Sequence, residues 1–183
     1  MAAVFKKGDQ FEVSNYRPLS LLPVMSKIYE RAMADQLINY LETNNLIENI
    51  QHGYRKGRSV ITAATEFLED VIDAIDCGGG IIALFMDFHK AFDSVWKKLM
   101  LKKLKALGIE GKEYNWFKSY LENRLQFVEI TYVNDKKNFI RKFVSTLKKI
   151  LFGVPQGSIL GPLLFIIYLI GIPEFKKLCL YVK

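Results

Sequence analysis

Asp87 closes an apolar run, Ile81-Ile82-Ala83-Leu84-Phe85-Met86, and opens the stretch DFHKAFDSV. Six apolar residues bounded upstream by Gly78-Gly79-Gly80 read as a short buried strand. A strand that ends on a carboxylate presents that charge at the rim of a sheet, where a hard cation or a substrate can meet it. The plainer role for such an Asp is a capped or salt-bridged strand end. Further along comes GVPQGSILGPLLF, Gly153 to Phe165, a Gly/Pro turn that leads into an apolar segment. Its glycines, Gly157 among them, let backbone approach a ligand closely. Gln156 adds an amide able to bond a base or a strand. The plainer role here is a turn that caps a core helix.

Basic residues cluster upstream. KKGD at 6–9 holds Lys7, NYRPLSLLP at 15–23 holds Arg17, and QHGYRKGRS at 51–59 holds Tyr54, Arg55, Lys56 and Arg58. Arginine suits phosphate because its fork is planar, permanently charged and bidentate. A basic, glycine-containing loop with a Tyr suits a nucleic-acid backbone and a stacked base. Each would otherwise be a solvated surface charge. Other chemistries lack their residues: there is no GxxxxGK[ST], GxSxG or HExxH, and neither His52 nor His89 has an evident partner. The Asp87-x-His89 spacing has no third ligand nearby, so zinc is not expected.

The elements that must hold these residues are an α+β mixture. Apolar spacing predicts helices from Val24 to Glu42, from a Ser59 cap through Ile75, from a Ser94 cap to Leu107, from Lys112 to Asn123, and from about Ile159. The second has one continuous apolar stripe, Val60, Ala64, Phe67, Leu68, Val71, Ile72 and Ile75. Leu125–Val133 and Asn138–Thr146 read as a β-hairpin. Residues 1–23 read as irregular, punctuated by Pro18 and Pro23.

The 183-residue chain is half hydrophobic and 13% aromatic, which excludes disorder. Its net charge of +7, with a pI near 9.3, favours polyanionic partners. From Arg141 onward seven basic residues face the single acid Glu174. Cys77 and Cys179 have no ligand spacing and read as free thiols in a reducing compartment. No signal peptide is expected from MAAVFKKGDQFEV. Ile150–Pro173 carries no charge, yet Pro155, Pro162 and four glycines interrupt it, so a core helix is expected rather than a span.

DFHKAFDSV and GVPQGSILGPLLF, in that order and with KKGD, NYRPLSLLP and QHGYRKGRS before them, resemble the reverse transcriptase of non-LTR (LINE/jockey-like) retrotransposons, motifs A and B above all. The likeness spans roughly residues 4 to 181. It implies the fingers (1–80) and partial palm (81–183) of a right-hand polymerase, the thumb absent, and RNA-templated DNA synthesis. By that resemblance Asp87 is the catalytic carboxylate. Asp87 and the Phe88 carbonyl would hold Mg²⁺, with Mn²⁺ as the alternative ion. Lys7 and Arg17 would meet the triphosphate, Gln156 and Gly157 the nucleotide, and Phe92 would bar a sugar 2′-hydroxyl. Tyr54, Arg55, Lys56 and Arg58 would follow the template.

The expected partners are an RNA template, a DNA primer and deoxynucleoside triphosphates, without a membrane, in the nucleus or cytoplasm; oligomeric state stays open. The sequence reaches Leu180-Tyr181-Val182-Lys183 without the family's Asp-Asp hairpin, so no polymerisation is expected of this chain alone. Its rivals are an inactive nucleic-acid-binding remnant and, less favoured, a small membrane protein built on 150–173. The motif order further predicts Asp87 in one cleft with Phe92 and Gln156.

Overall fold

The five expected helices all form in the computed structural model, which describes residues 1–85, 87–88, 90–134 and 139–171. They are α1 (Val24–Thr43), α2 (Val60–Asp76), α3 (Lys97–Ala106), α4 (Gly111–Leu121) and α5 (Leu160–Leu169). Local chemistry explains their ends. Ser59 Oγ accepts the Thr62 N–H while Thr62 Oγ1 accepts the Ser59 N–H, a capping box that starts α2. Ser94 does not cap α3. Its hydroxyl donates to Ala91 O at 2.8 Å, within a 3-10 turn at Ala91–Asp93, and α3 starts three residues later behind Trp96. Gly108, at φ +83°, ends α3 in the left-handed conformation.

The first 23 residues are more regular than their prolines suggest. β1 (Ala2–Phe5) and β2 (Tyr16–Leu19) pair antiparallel from Ala2↔Leu19 to Phe5↔Tyr16. β2 lies at the edge of the sheet, and an edge strand tolerates Pro18 because a missing N–H there costs no ladder bond. β3 (Leu125–Gln126), β4 (Glu129–Asn134), β5 (Phe139–Val144) and β6 (Lys148–Lys149) follow. β4 and β5 form the expected hairpin, in register from Glu129↔Val144 to Asn134↔Phe139. The four-stranded sheet runs β2-β1-β4-β5, with β1 and β4 parallel at Ala2↔Glu129.

The buried strand expected over 81–86 is not there in its described part. Residues 81–85 lie outside regular structure, and Phe85 is 81% exposed. A strand's N–H and C=O groups need a neighbouring ladder. Both sheets of the described residues are built without 81–85, which has no described strand beside it. The stripe of α2 is equally open: Phe67, Leu68, Ile72 and Ile75 are exposed, and Phe67 meets Phe85 edge-on at 5.8 Å. Met86 and His89 lie outside the described residues, as does Cys179; Cys77 is a free, exposed thiol.

The core gathers around α5, which is apolar on every side. Leu160, Leu164 and Ile167 are sealed among Leu41 of α1, Met100 and Leu104 of α3, and Phe117 and Leu121 of α4. Pro162 is the third residue of α5, where no intrahelical N–H donor is required. Lys103 Nζ donates to Tyr168 O and Ile170 O, closing the helix's C-terminal end. No helix among the described residues is long and apolar enough to cross a membrane.

Candidate functional site

The two chemistry-bearing stretches are joined by backbone. Val154 N–H donates to Phe92 O and Gly153 N–H donates to Val95 O, both at 2.8 Å. Gly153 has φ +85°, and a Cβ on it would come within 2.9 Å of Asp93 Cα and of Phe92 O. Glycine is required at this crossing for conformation and for space. Val154 is buried beneath it.

Beyond the crossing, the turn that carries Gln156 is held from both sides. Ser20 N–H donates to Gln156 O at 2.8 Å, tying the turn to the end of β2. Gly157, at φ +100°, is exposed and faces Ser20 O. Inside the turn, Ser158 Oγ donates to Pro155 O and accepts the Gly161 N–H. Glu30 Oε2 then accepts the Ile159 N–H at 2.8 Å, at the start of α5. Glu30 is 1% exposed, a buried carboxyl that serves a helix N-terminus. The Tyr120 hydroxyl lies toward Ser158 and Glu30 without reaching hydrogen-bond geometry with either, and burial pushes it up to about 12.

Asp87 is exposed and outside regular structure. Its neighbour Phe88 packs edge-on to Phe165 of α5 at 6.1 Å, and Phe92 packs against the same ring at 5.3 Å. Lys90, between them, takes the left-handed conformation at φ 50°, which reverses the chain so that both rings reach one helix. Among the described residues no three His, Cys, Asp or Glu side chains gather as a metal cluster. The oxygen donors present, the Asp87 carboxylate and the Phe88 carbonyl, suit a hard cation that shares its remaining positions with phosphate.

The basic loop separates its charges. Arg55 donates from Nε to Glu42 Oε1 at 2.8 Å, from Nη2 to Glu42 Oε2 at 2.6 Å, and from Nη1 to Glu48 O and Gln51 O. Tyr54 is 66% exposed at φ 58°, Lys56 is exposed and Arg58 is half-buried. Lys7 is exposed in the connection between β1 and β2, and Arg17 is exposed on β2 opposite Val4. His52 does have partners: Nε2 meets Glu66 Oε2 at 2.7 Å and Nδ1 meets Thr62 Oγ1 at 2.8 Å, which pins the loop to α2.

The structure thus brings Phe88, Phe92, Gln156 and Gly157 to the two sides of one backbone crossing. Arg55 belongs to a latch elsewhere. Glu30, Ser20 and Phe165 escaped sequence reasoning. Glu30 stands among the polar positions of an amphipathic helix, and nothing local distinguishes a buried acid from a solvated one.

Comparison with known proteins follows the same outline. Residues 4–179 match the family described as reverse transcriptase (RNA-dependent DNA polymerase). The chain is 32% identical over 175 residues to the probable RNA-directed DNA polymerase from transposon X-element of Drosophila melanogaster, covering 95% of this chain and 18% of that protein. It is 33% identical over 159 residues to the corresponding protein of transposon BS of the same fly, covering 87% and 16%. To the RNA-directed DNA polymerase from mobile element jockey it is 31% identical over 162 residues, covering 88% and 16%. The chain spans less than a fifth of the length of these relatives.

Proposed function

Because the chain belongs to the reverse transcriptase (RNA-dependent DNA polymerase) family, we propose that it forms the nucleotide-binding part of an RNA-directed DNA polymerase of a non-LTR retrotransposon. Residues 1–80 act as fingers and 81–183 as palm. The substrates are deoxynucleoside triphosphates, a DNA primer and an RNA template. The observation that carries this reading is the backbone crossing of Phe92–Val95 with Gly153–Val154.

In this reading Phe92 forms the floor under the sugar. A flat ring beneath C2′ leaves no room for a ribose hydroxyl, so selection against ribonucleotides is steric. Gln156 bonds the base or template from a turn that Ser20 and Glu30 immobilise, and such pre-organisation reduces the ordering cost of binding. Gly157 leaves space for close backbone approach, while Lys7 and Arg17 neutralise the triphosphate. Asp87 and the Phe88 carbonyl hold Mg²⁺ or Mn²⁺. When bound, the ion neutralises charge on the phosphates.

Titration of the chain with a fluorescent deoxynucleoside triphosphate and its ribonucleoside counterpart, with and without Mg²⁺, tests this. The deoxynucleotide binds more tightly in Mg²⁺, Asp87→Asn removes the Mg²⁺ effect, and Phe92→Val narrows the preference between sugars. Equal binding of both sugars, unchanged by Phe92→Val, would sink the reading.

A further inference from the structure

The second face of the protein that suits a polyanion is a ribbon with no part in the site above. The β4–β5 ladder continues through the Ser145 N–H bond to Val128 O at 2.9 Å into the β3–β6 pair, and Ile150 N–H closes on Arg124 O. Arg124, Arg141, Lys142, Lys148 and Lys149 are all carried on this ribbon. From 139 to 171 the sequence has no Asp or Glu.

Side chains alternate across a strand, so Arg141 and Phe143 leave β5 on one face, with Ile130 opposite Phe143 on β4. The Arg141 guanidinium lies over the Phe143 ring, 5.1 Å from its centroid. Phe143 and Ile130 are 50% and 54% exposed. Glu129, the one acid of β4 and β5, is on the other face, where Lys142 pairs with it at 2.9 Å. Among the described residues, therefore, no ion pair neutralises Arg141 on this face. Among the described residues β5 is also an edge strand, so a ligand lying along it displaces none of them.

An exposed ring under a guanidinium provides a plane for a base and a cation for the adjoining phosphate. We propose that this face of the ribbon is a binding track for single-stranded RNA, with a base stacked on the Arg141–Phe143 pair and the adjoining phosphate on the Arg141 guanidinium. The choice of RNA rests on the polymerase reading; the stacking chemistry does not.

Binding of a labelled single-stranded RNA, and of the DNA of the same sequence, is measured across a salt series. Phe143→Ala weakens RNA binding at least about five-fold at every salt concentration and leaves the salt slope unchanged, since stacking releases no counterion. Phe143→Leu, which keeps apolar bulk without a flat ring, weakens it similarly; both replace a half-exposed side chain. Arg141→Ala lowers the slope by about 0.7. RNA affinity unaltered in both Phe143 variants overturns the inference, as does tighter binding of the DNA. Deoxynucleotide binding without RNA binding overturns the track and spares the nucleotide site. The expected RNA losses in a chain that binds no nucleotide do the reverse.

Discussion

Arg55 grips both carboxylate oxygens of Glu42 across the gap between the basic loop and α1. The bond from the guanidinium is the main reason the Glu42 carboxyl is held below its ordinary value. A depressed carboxyl contributes stability above its unfolded value of 4.5 and loses it as pH falls through the folded one.

Arg55→Ala is expected to lower stability by about 1–3 kcal/mol in urea denaturation, since Glu42 and two carbonyls lose their donor. It should also flatten the acid limb of the stability–pH curve. The salt slope of RNA binding should not move, whereas Lys56→Ala should lower it by about 0.7. A slope change on Arg55→Ala with stability untouched would return Arg55 to the template.

Glu30→Ala strips the Ile159 N–H of its acceptor, at an expected cost of about 2 kcal/mol. Glu30→Gln retains an oxygen in that place and should recover most of it. Equal losses in the two variants, by chemical denaturation, would mean that charge at the helix terminus matters more than the hydrogen bond.

Gly153→Ala puts a methyl against Asp93 and Phe92 at positive φ, and a cost above about 2 kcal/mol is expected. Gly57 has a similar φ of +75° with nothing within 4 Å, so Gly57→Ala should cost only about 1 kcal/mol. Thermal unfolding of the pair separates conformational strain from collision.

Tyr120 titrates in the unfolded chain near its ordinary value of 10 and in the fold near 12. The stability this supplies is complete below pH 10 and disappears as pH climbs to about 12. Tyr120→Phe should therefore flatten the alkaline fall. Because it also removes a buried hydroxyl with no partner, it should raise stability at pH 7 by about 1 kcal/mol. A destabilised variant would show that the hydroxyl finds Ser158 or Glu30 in solution.

Helices were legible because their signals are local: the Ser59 cap, the Gly108 stop and the apolar spacing of α1 need no knowledge of the rest of the chain. The β4–β5 hairpin was legible for the same reason. Motif order required 87–92 and 153–157 to converge without saying how, and the two stretches meet at Phe92 and Val154. What stayed hidden depends on distant partners. The apolar run 81–85 looks like a strand, yet strand formation depends on a neighbour that no residue within the run specifies. Arg55 looks like a free cation, and nothing near it in the sequence reveals the glutamate thirteen residues upstream that holds it. Pro18 suggested irregular chain because the edge position that tolerates it belongs to the sheet.

Glu30 and Ile159 are 129 residues apart. At about 5–20 residues per second of synthesis, roughly 6 to 26 seconds separate the appearance of the carboxyl from that of its partner. Through that interval α1 has none of α5 to pack against, and for most of it β1 also lacks β4. The core around α5 therefore closes late, with α1 waiting on a helix that is made long after it. A premature stop just before residue 160 would yield a chain with caps, stripes and turns intact and no centre to gather them.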